Sequence, residues 1–185
     1  VEVNPDVKSE YVHAIKDKVY DGNEKELIFR GTNIGNWLVP EGWMGITEIH
    51  GQNDDVEGEK LTYKKLIAAL EKNPLVDNDK IDDLLKIYYD NYFTREDVKF
   101  LKESGFNVIR LPFLYYNLYD ENDNLKENAY YYLDKAIEWC EEFDMYVILD
   151  CHGASSTQNQ EHHSGDDSVS TIFDDKEEQE KTIHM

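Results

Sequence analysis

Two short apolar runs dominate the hydrophobic pattern of this chain, and each passes directly into polar chemistry. Asn107-Val108-Ile109-Arg110-Leu111-Pro112 is the first, and Val147-Ile148-Leu149-Asp150-Cys151-His152-Gly153 is the second. Runs of β-branched residues and leucine this short and this continuous predict strands buried on both faces, the pattern of a parallel sheet. Each run delivers a titratable side chain where the strand is expected to stop: Arg110, then Asp150 and His152. In parallel α/β folds that rim is where ligands bind and chemistry is done.

The spacing between and before these runs predicts helices. Thr94 is a candidate N-cap for a helix reaching Ser104, with Asp97 as its capping-box partner and Gly105 as its stop. Residues 129–143 put Tyr130, Leu133, Ile137, Cys140 and Phe143 on one face. Asp144 is then nearly the whole connection into a strand at 145–150. A βαβ unit results, with a tight helix-to-strand turn and a long strand-to-helix connection over roughly 113–128. That asymmetry is how α/β barrels gather function at one end.

Upstream, Val19–Arg30 reads as a hairpin signalled by Asp21-Gly22, its second arm continuing through Gly31–Trp37. Residues 38–60 read as loop, and 61–72 and 81–93 as helices parted by Asn73-Pro74. A polar tail follows Ser164, and 174–184 has the pattern of another helix capped by Asp174 or Asp175. The chain opens Val-Glu-Val, with neither an initiating Met nor a basic-plus-apolar leader, so we expect a removed leader or an excised piece.

Charge narrows the partners. Forty acidic against 19 basic residues give a formal charge of −21 over 185 residues. Nucleic acid and anionic membranes repel such a surface, whereas a neutral sugar is indifferent to it. No stretch has the length of a membrane span. The two cysteines, Cys140 and Cys151, make no disulfide framework and read as free thiols.

Several residues could carry chemistry. Arg110 is either a structural partner for one of the many acids or a guanidinium that holds a carboxylate ionised and oriented. His152, backed by Gly153, reads as a site residue at a strand end. Asp150, Cys151, His152, His162 and His163 match no closed zinc spacing, so no metal is expected. Trp37, Trp43, Tyr115, Tyr116 and Tyr119 either pack the core or offer stacking faces to pyranose rings. Glycines 35, 42 and 45 beside the tryptophans favour stacking. Glu41, between Pro40 and Gly42, is placed to accept hydrogen bonds from sugar hydroxyls.

Four blocks in fixed order carry a resemblance. They are Arg30-Gly31-Thr32-Asn33-Ile34-Gly35-Asn36-Trp37-Leu38-Val39-Pro40-Glu41, Thr94–Asp97 through Gly105–Pro112, Tyr132–Ile137, and Leu149–Ala154. Together they resemble glycoside hydrolase family 5, in the branch related to exo-1,3-β-glucanases. The resemblance implies a (β/α)8 barrel that hydrolyses β-glycosidic bonds with retention through two glutamates. Here it implies the amino-terminal portion of such a barrel, about strands 1–3, preceded by a hairpin. Residues 1–185 would be one incomplete glycosidase domain: hairpin and strand 1 at 19–37, loop and helical insert at 38–93, a helix–strand–helix–strand block at 94–153, and a substrate loop with the start of a helix at 154–185. A neighbouring barrel portion is then expected to cover the open sheet edge.

The resemblance also implies roles. Arg110 matches the arginine supporting the nucleophile, and His152 the histidine lining the −1 subsite. Asn33, Trp37, Glu41, Tyr115, Asn159 and His163 match sugar-contacting positions, with Gln158 and Ser164-Gly165 in the same loop. Asn36 stands where the family has Gly, and Ser155-Ser156 and Gln160–His163 depart from its pattern. The Asn-Glu motif after strand 4 and the glutamate after strand 7 are not in the 185 residues. Retention needs two carboxyl groups about 5 Å apart. The chain is therefore expected to hold subsite residues for β-glucan, need no cofactor, sit outside the cell or at its surface, and cleave nothing alone. The alternative is a non-catalytic carbohydrate-binding half barrel.

Overall fold

The computed structural model describes residues 11–41, 44 and 62–185. Trp43, Gly42 and Gly45 lie outside the described residues, as does most of the loop expected over 38–60. Contacts divide the chain into two compact units, Val1–Arg30 and Gly31–Met185.

The first unit is a small antiparallel sheet. β1 (His13–Ile15) pairs with β2 (Lys18–Tyr20), and β2 pairs with β3 (Glu26–Leu27) through Val19↔Leu27 and Tyr20↔Glu26. The turn between β2 and β3 forms because the Asp21 carboxylate accepts from the N–H groups of Asn23 and Lys25 at 2.8 and 2.9 Å. The hairpin is present, but its second arm stops at Leu27. Gly31–Asn33 forms a strand of its own, β4, in the other unit.

The second unit is a parallel sheet in the order β4-β5-β6, with β5 at Val108–Leu114 and β6 at Tyr146–Gly153. α1 (Tyr63–Lys72) and α2 (Ile81–Tyr92) fall between β4 and β5, followed by α3 (Arg95–Glu103). Thr94 and Asp97 form the expected capping box, and Gly105 ends α3 at a φ of +91°, a conformation that costs glycine little. A single turn, α4 (Tyr115–Leu118), opens the long connection expected over roughly 113–128. α5 (Tyr131–Glu142) returns to β6, and α6 (Lys176–Ile183) is capped by Asp175.

Alternation along β5 sorts its two faces. Ile109, Leu111 and Phe113 join Val98, Leu133, Ala136 and Cys140 in the core beneath the helices. Val108, Arg110, Pro112 and Leu114 share the opposite face. Pro112 does not stop the strand, which runs on to Leu114, so Arg110 sits within β5 and not at its end.

β6 departs further from expectation. Ile148 and Leu149 are 44% and 49% exposed, so this run is not buried on both faces. β6 pairs along one edge only among the described residues, and its exposed Ile148 and Leu149 belong to the apolar pattern of a central strand.

A buried polar knot fixes the segment after β6. Thr157 and Ser164 are fully buried, and their hydroxyls meet each other at 2.7 Å and the Asp166 carbonyl at 3.0 and 2.9 Å. The Asp166 carboxylate takes a hydrogen bond from Lys64 of α1 at 2.6 Å. Burial raises the Asp166 pKa, but Lys64 and the Ser168 N–H outweigh it and hold the carboxyl below its ordinary value. A depressed carboxylate contributes stability above the unfolded-state value of about 3.9, and that contribution is lost as pH falls through the folded-state value. Asp166→Asn is expected to cost about 1 kcal/mol near neutral pH, discounted for the exposed lysine. It should also flatten the loss of thermal stability below about pH 4. Melts of both chains across that range check it, and parallel acid limbs would contradict it.

Candidate active site

The register brings the sequence-predicted residues together. In a parallel pair, aligned residues point to the same face, and Asn33 aligns with Arg110 while Pro112 aligns with Asp150. Asn33, Arg110, Asp150 and His152 therefore share the face opposite the one that packs on Val98, Leu133 and Cys140. The Arg110 guanidinium donates to Asp150 Oδ2 at 2.6 Å and to Asn33 Oδ1 at 3.3 Å. His152 Nδ1 lies 2.7 Å from Asp150 Oδ2 and 3.1 Å from Arg110 Nη2. The short contact to the Asp150 carboxylate calls for an Nδ1–H that donates to it, since two acceptors would repel at that distance. Guanidinium and imidazole are immediate neighbours on one surface.

The polar surface continues through the loop after β6. The His152 and His163 rings are 5.4 Å apart, and Asn159 Nδ2 lies 3.2 Å from His163 Nε2. His162 Nε2 lies 3.0 Å from Glu41 Oε2. Burial first, then the neighbouring His152 and His162, lower the His163 pKa against the opposite pull of Glu41 and Glu161, which favours the neutral ring. Gly153 makes the approach possible: a Cβ there would stand 2.5 Å from the Ser164 carbonyl oxygen. Gln158 bridges the same junction, donating to the His152 carbonyl at 2.7 Å.

Asn36 acquires a role that its sequence position did not reveal. Its φ is +59°, in the left-handed region where glycine is usual and asparagine is the best-tolerated substitute. Its Oδ1 accepts the Glu41 N–H at 3.1 Å, and its own carbonyl accepts from the Tyr88 hydroxyl. The departure from glycine thus supplies a side chain that anchors the backbone of Glu41.

Two candidates are corrected. Trp37 is fully buried, edge-on to Phe93 and Tyr132, with Nε1–H donating to the Tyr89 carbonyl at 2.9 Å. Tyr115 is 2% exposed and stacks on Tyr119 at 4.5 Å. Neither ring has a face left for a sugar, because the core uses both. Tyr116 is likewise tied down, donating to the Ser155 carbonyl at 2.8 Å. The histidine and acid grouping also differs from the one weighed in the sequence: Glu41, His162 and His163 converge, while Cys151 points to the other face of β6.

The family model for cellulase (glycosyl hydrolase family 5) matches residues 61–181. The chain belongs to glycosyl hydrolase family 5. Among curated relatives of this family 5 chain, a β-xylosidase of Phanerodontia chrysosporium is 28% identical over 95% of the chain and 34% of that protein. A glucan 1,3-β-glucosidase 2 of Candida albicans is 31% identical over 74% of the chain and 28% of that protein. The chain thus spans about a third of the length of the curated relatives it matches. The crystal structure of rutinosidase from Aspergillus niger shares its fold at a TM-score of 0.64 with 19% identity, over 84% of this chain and 41% of that one. No described helix of the family 5 chain is long and apolar enough to cross a membrane.

Proposed function

We propose that the chain supplies the sugar-binding −1 side of a retaining β-glucan hydrolase acting outside the cell or at its surface. One observation carries this reading: Asn33, Arg110, Asp150 and His152, from three adjacent parallel strands, are tied into one polar corner. A purely structural arginine needs one acid. This one reaches across to both neighbouring strands, and a histidine stands beside it. Glu41, Asn159 and His163 extend the corner with groups suited to sugar hydroxyls. Residues 31–185 are read as the first strands of a (β/α)8 barrel, with a further barrel portion lying against β6.

Retaining hydrolysis needs an acid/base carboxyl and a nucleophilic carboxylate about 5 Å apart on either side of the glycosidic bond. In this reading Glu41 binds hydroxyls and Asp150 is committed to Arg110 and His152, so the chain binds glucan without cleaving it. Titrating the chain with β-1,3- and β-1,4-linked glucose oligosaccharides is expected to give saturable binding, with no release of reducing sugar. Asn33→Ala and His152→Ala are each expected to weaken that binding about tenfold, the effect of one lost hydrogen bond to a sugar hydroxyl. Affinity unchanged in both variants, or no saturable binding, would refute the proposal.

A further inference from the structure

We propose that Glu41, His162 and His163 form a binding site for a divalent transition metal ion, zinc foremost. Each offers one ligand atom, and these atoms all lie within 4.8 Å of one another. Ligands about 2.0–2.1 Å from a tetrahedral ion stand roughly 3.4 Å apart, so the Glu41–His162 pair at 3.0 Å already has coordinating spacing. His163 completes the set within the same 4.8 Å.

The donor chemistry selects the metal. Two imidazoles and one carboxylate suit zinc and its borderline neighbours, whereas magnesium and calcium take oxygen ligands. The scaffold is rigid: Asn36 fixes the Glu41 backbone, and the buried Ser164 hydroxyl reaches the Glu161 carbonyl at 2.6 Å, pinning the turn that carries both histidines. Both side chains of the Glu41–His162 pair are mostly buried, which limits competition from water.

This site overlaps the sugar surface proposed above, so on that reading zinc and saccharide compete for Glu41. The ion would act as an inhibitor whose release opens the subsite.

Calorimetric titration of the chain with zinc chloride is expected to show one ion bound per chain, and cobalt(II) should give the intense visible absorption of a tetrahedral site. His162→Asn, His163→Asn and Glu41→Gln are each expected to weaken zinc at least tenfold, and the His162→Asn/His163→Asn pair to abolish it. Magnesium chloride should give no heat, His13→Asn and His184→Asn should bind as the parent does, and circular dichroism should confirm that each variant is folded. No saturable zinc binding, or parental affinity in the folded double variant, would overturn the site. Zinc binding of the expected kind that leaves glucan affinity untouched would support the metal site and remove Glu41 from the sugar surface.

Discussion

Trp37→Ala is expected to destabilise the parallel-sheet unit by about 3–5 kcal/mol, the range for emptying a large aromatic side chain from a packed core. The ring fills the space next to Phe93 and Tyr132 and has no exposure at all. Its removal leaves a cavity and strips the Tyr89 carbonyl of its donor. Trp37→Phe keeps most of the apolar volume and is expected to lose only about 1–2 kcal/mol, chiefly through the missing N–H. Urea unfolding followed by circular dichroism separates the two. A stacking platform would behave oppositely, losing glucan affinity at unchanged stability. Near-parental stability of Trp37→Ala would restore that reading.

The same residue shows where sequence reasoning reached its limit. A tryptophan followed within a few positions by Pro40 and Glu41 looks identical on paper whether its ring faces a cleft or a core. Periodicity cannot separate the two in so short a segment. What decides is α2: its Tyr89 carbonyl receives the indole N–H from 52 positions away, a contact no local pattern encodes.

Arg110 was legible for the contrary reason. A charged residue inside a continuous apolar strand demands a partner, and strand alternation dictates which face must supply it. The parallel order then left the neighbouring strands as the only sources, and Asn33 and Asp150 lie at matching heights. Strand ends were less visible. Pro112 looked like a terminator, yet β5 runs through it. The exposure of Ile148 and Leu149 could not be read either, because an apolar run encodes the environment a strand is built for. The Glu41–His162–His163 convergence depends on a long loop folding back over β6, held by Thr157 and Ser164, both small polar residues of no evident pattern.

Arg110→Met is expected to separate stability from binding. The guanidinium and the Asp150 carboxylate are 36% and 26% exposed, so water already screens part of their attraction. Methionine retains the apolar stem, and Asp150 keeps His152 as a partner, so the loss of stability should stay near 1 kcal/mol. The geometry suffers more. Without the guanidinium, the Asn33 side chain loses its partner on β5, and the Asp150–His152 pair loses the charge that sets its position. Glucan affinity is therefore expected to fall well over tenfold, as the binding surface is no longer preorganised. Arg110→Lys should recover little of it, since one ammonium cannot span Asn33 and Asp150 with the planar fork that arginine presents. Melting curves and oligosaccharide titrations on the three chains test the split. An affinity loss no greater than the stability loss would make Arg110 a strut of the sheet, and the polar corner would then have no claim on sugar.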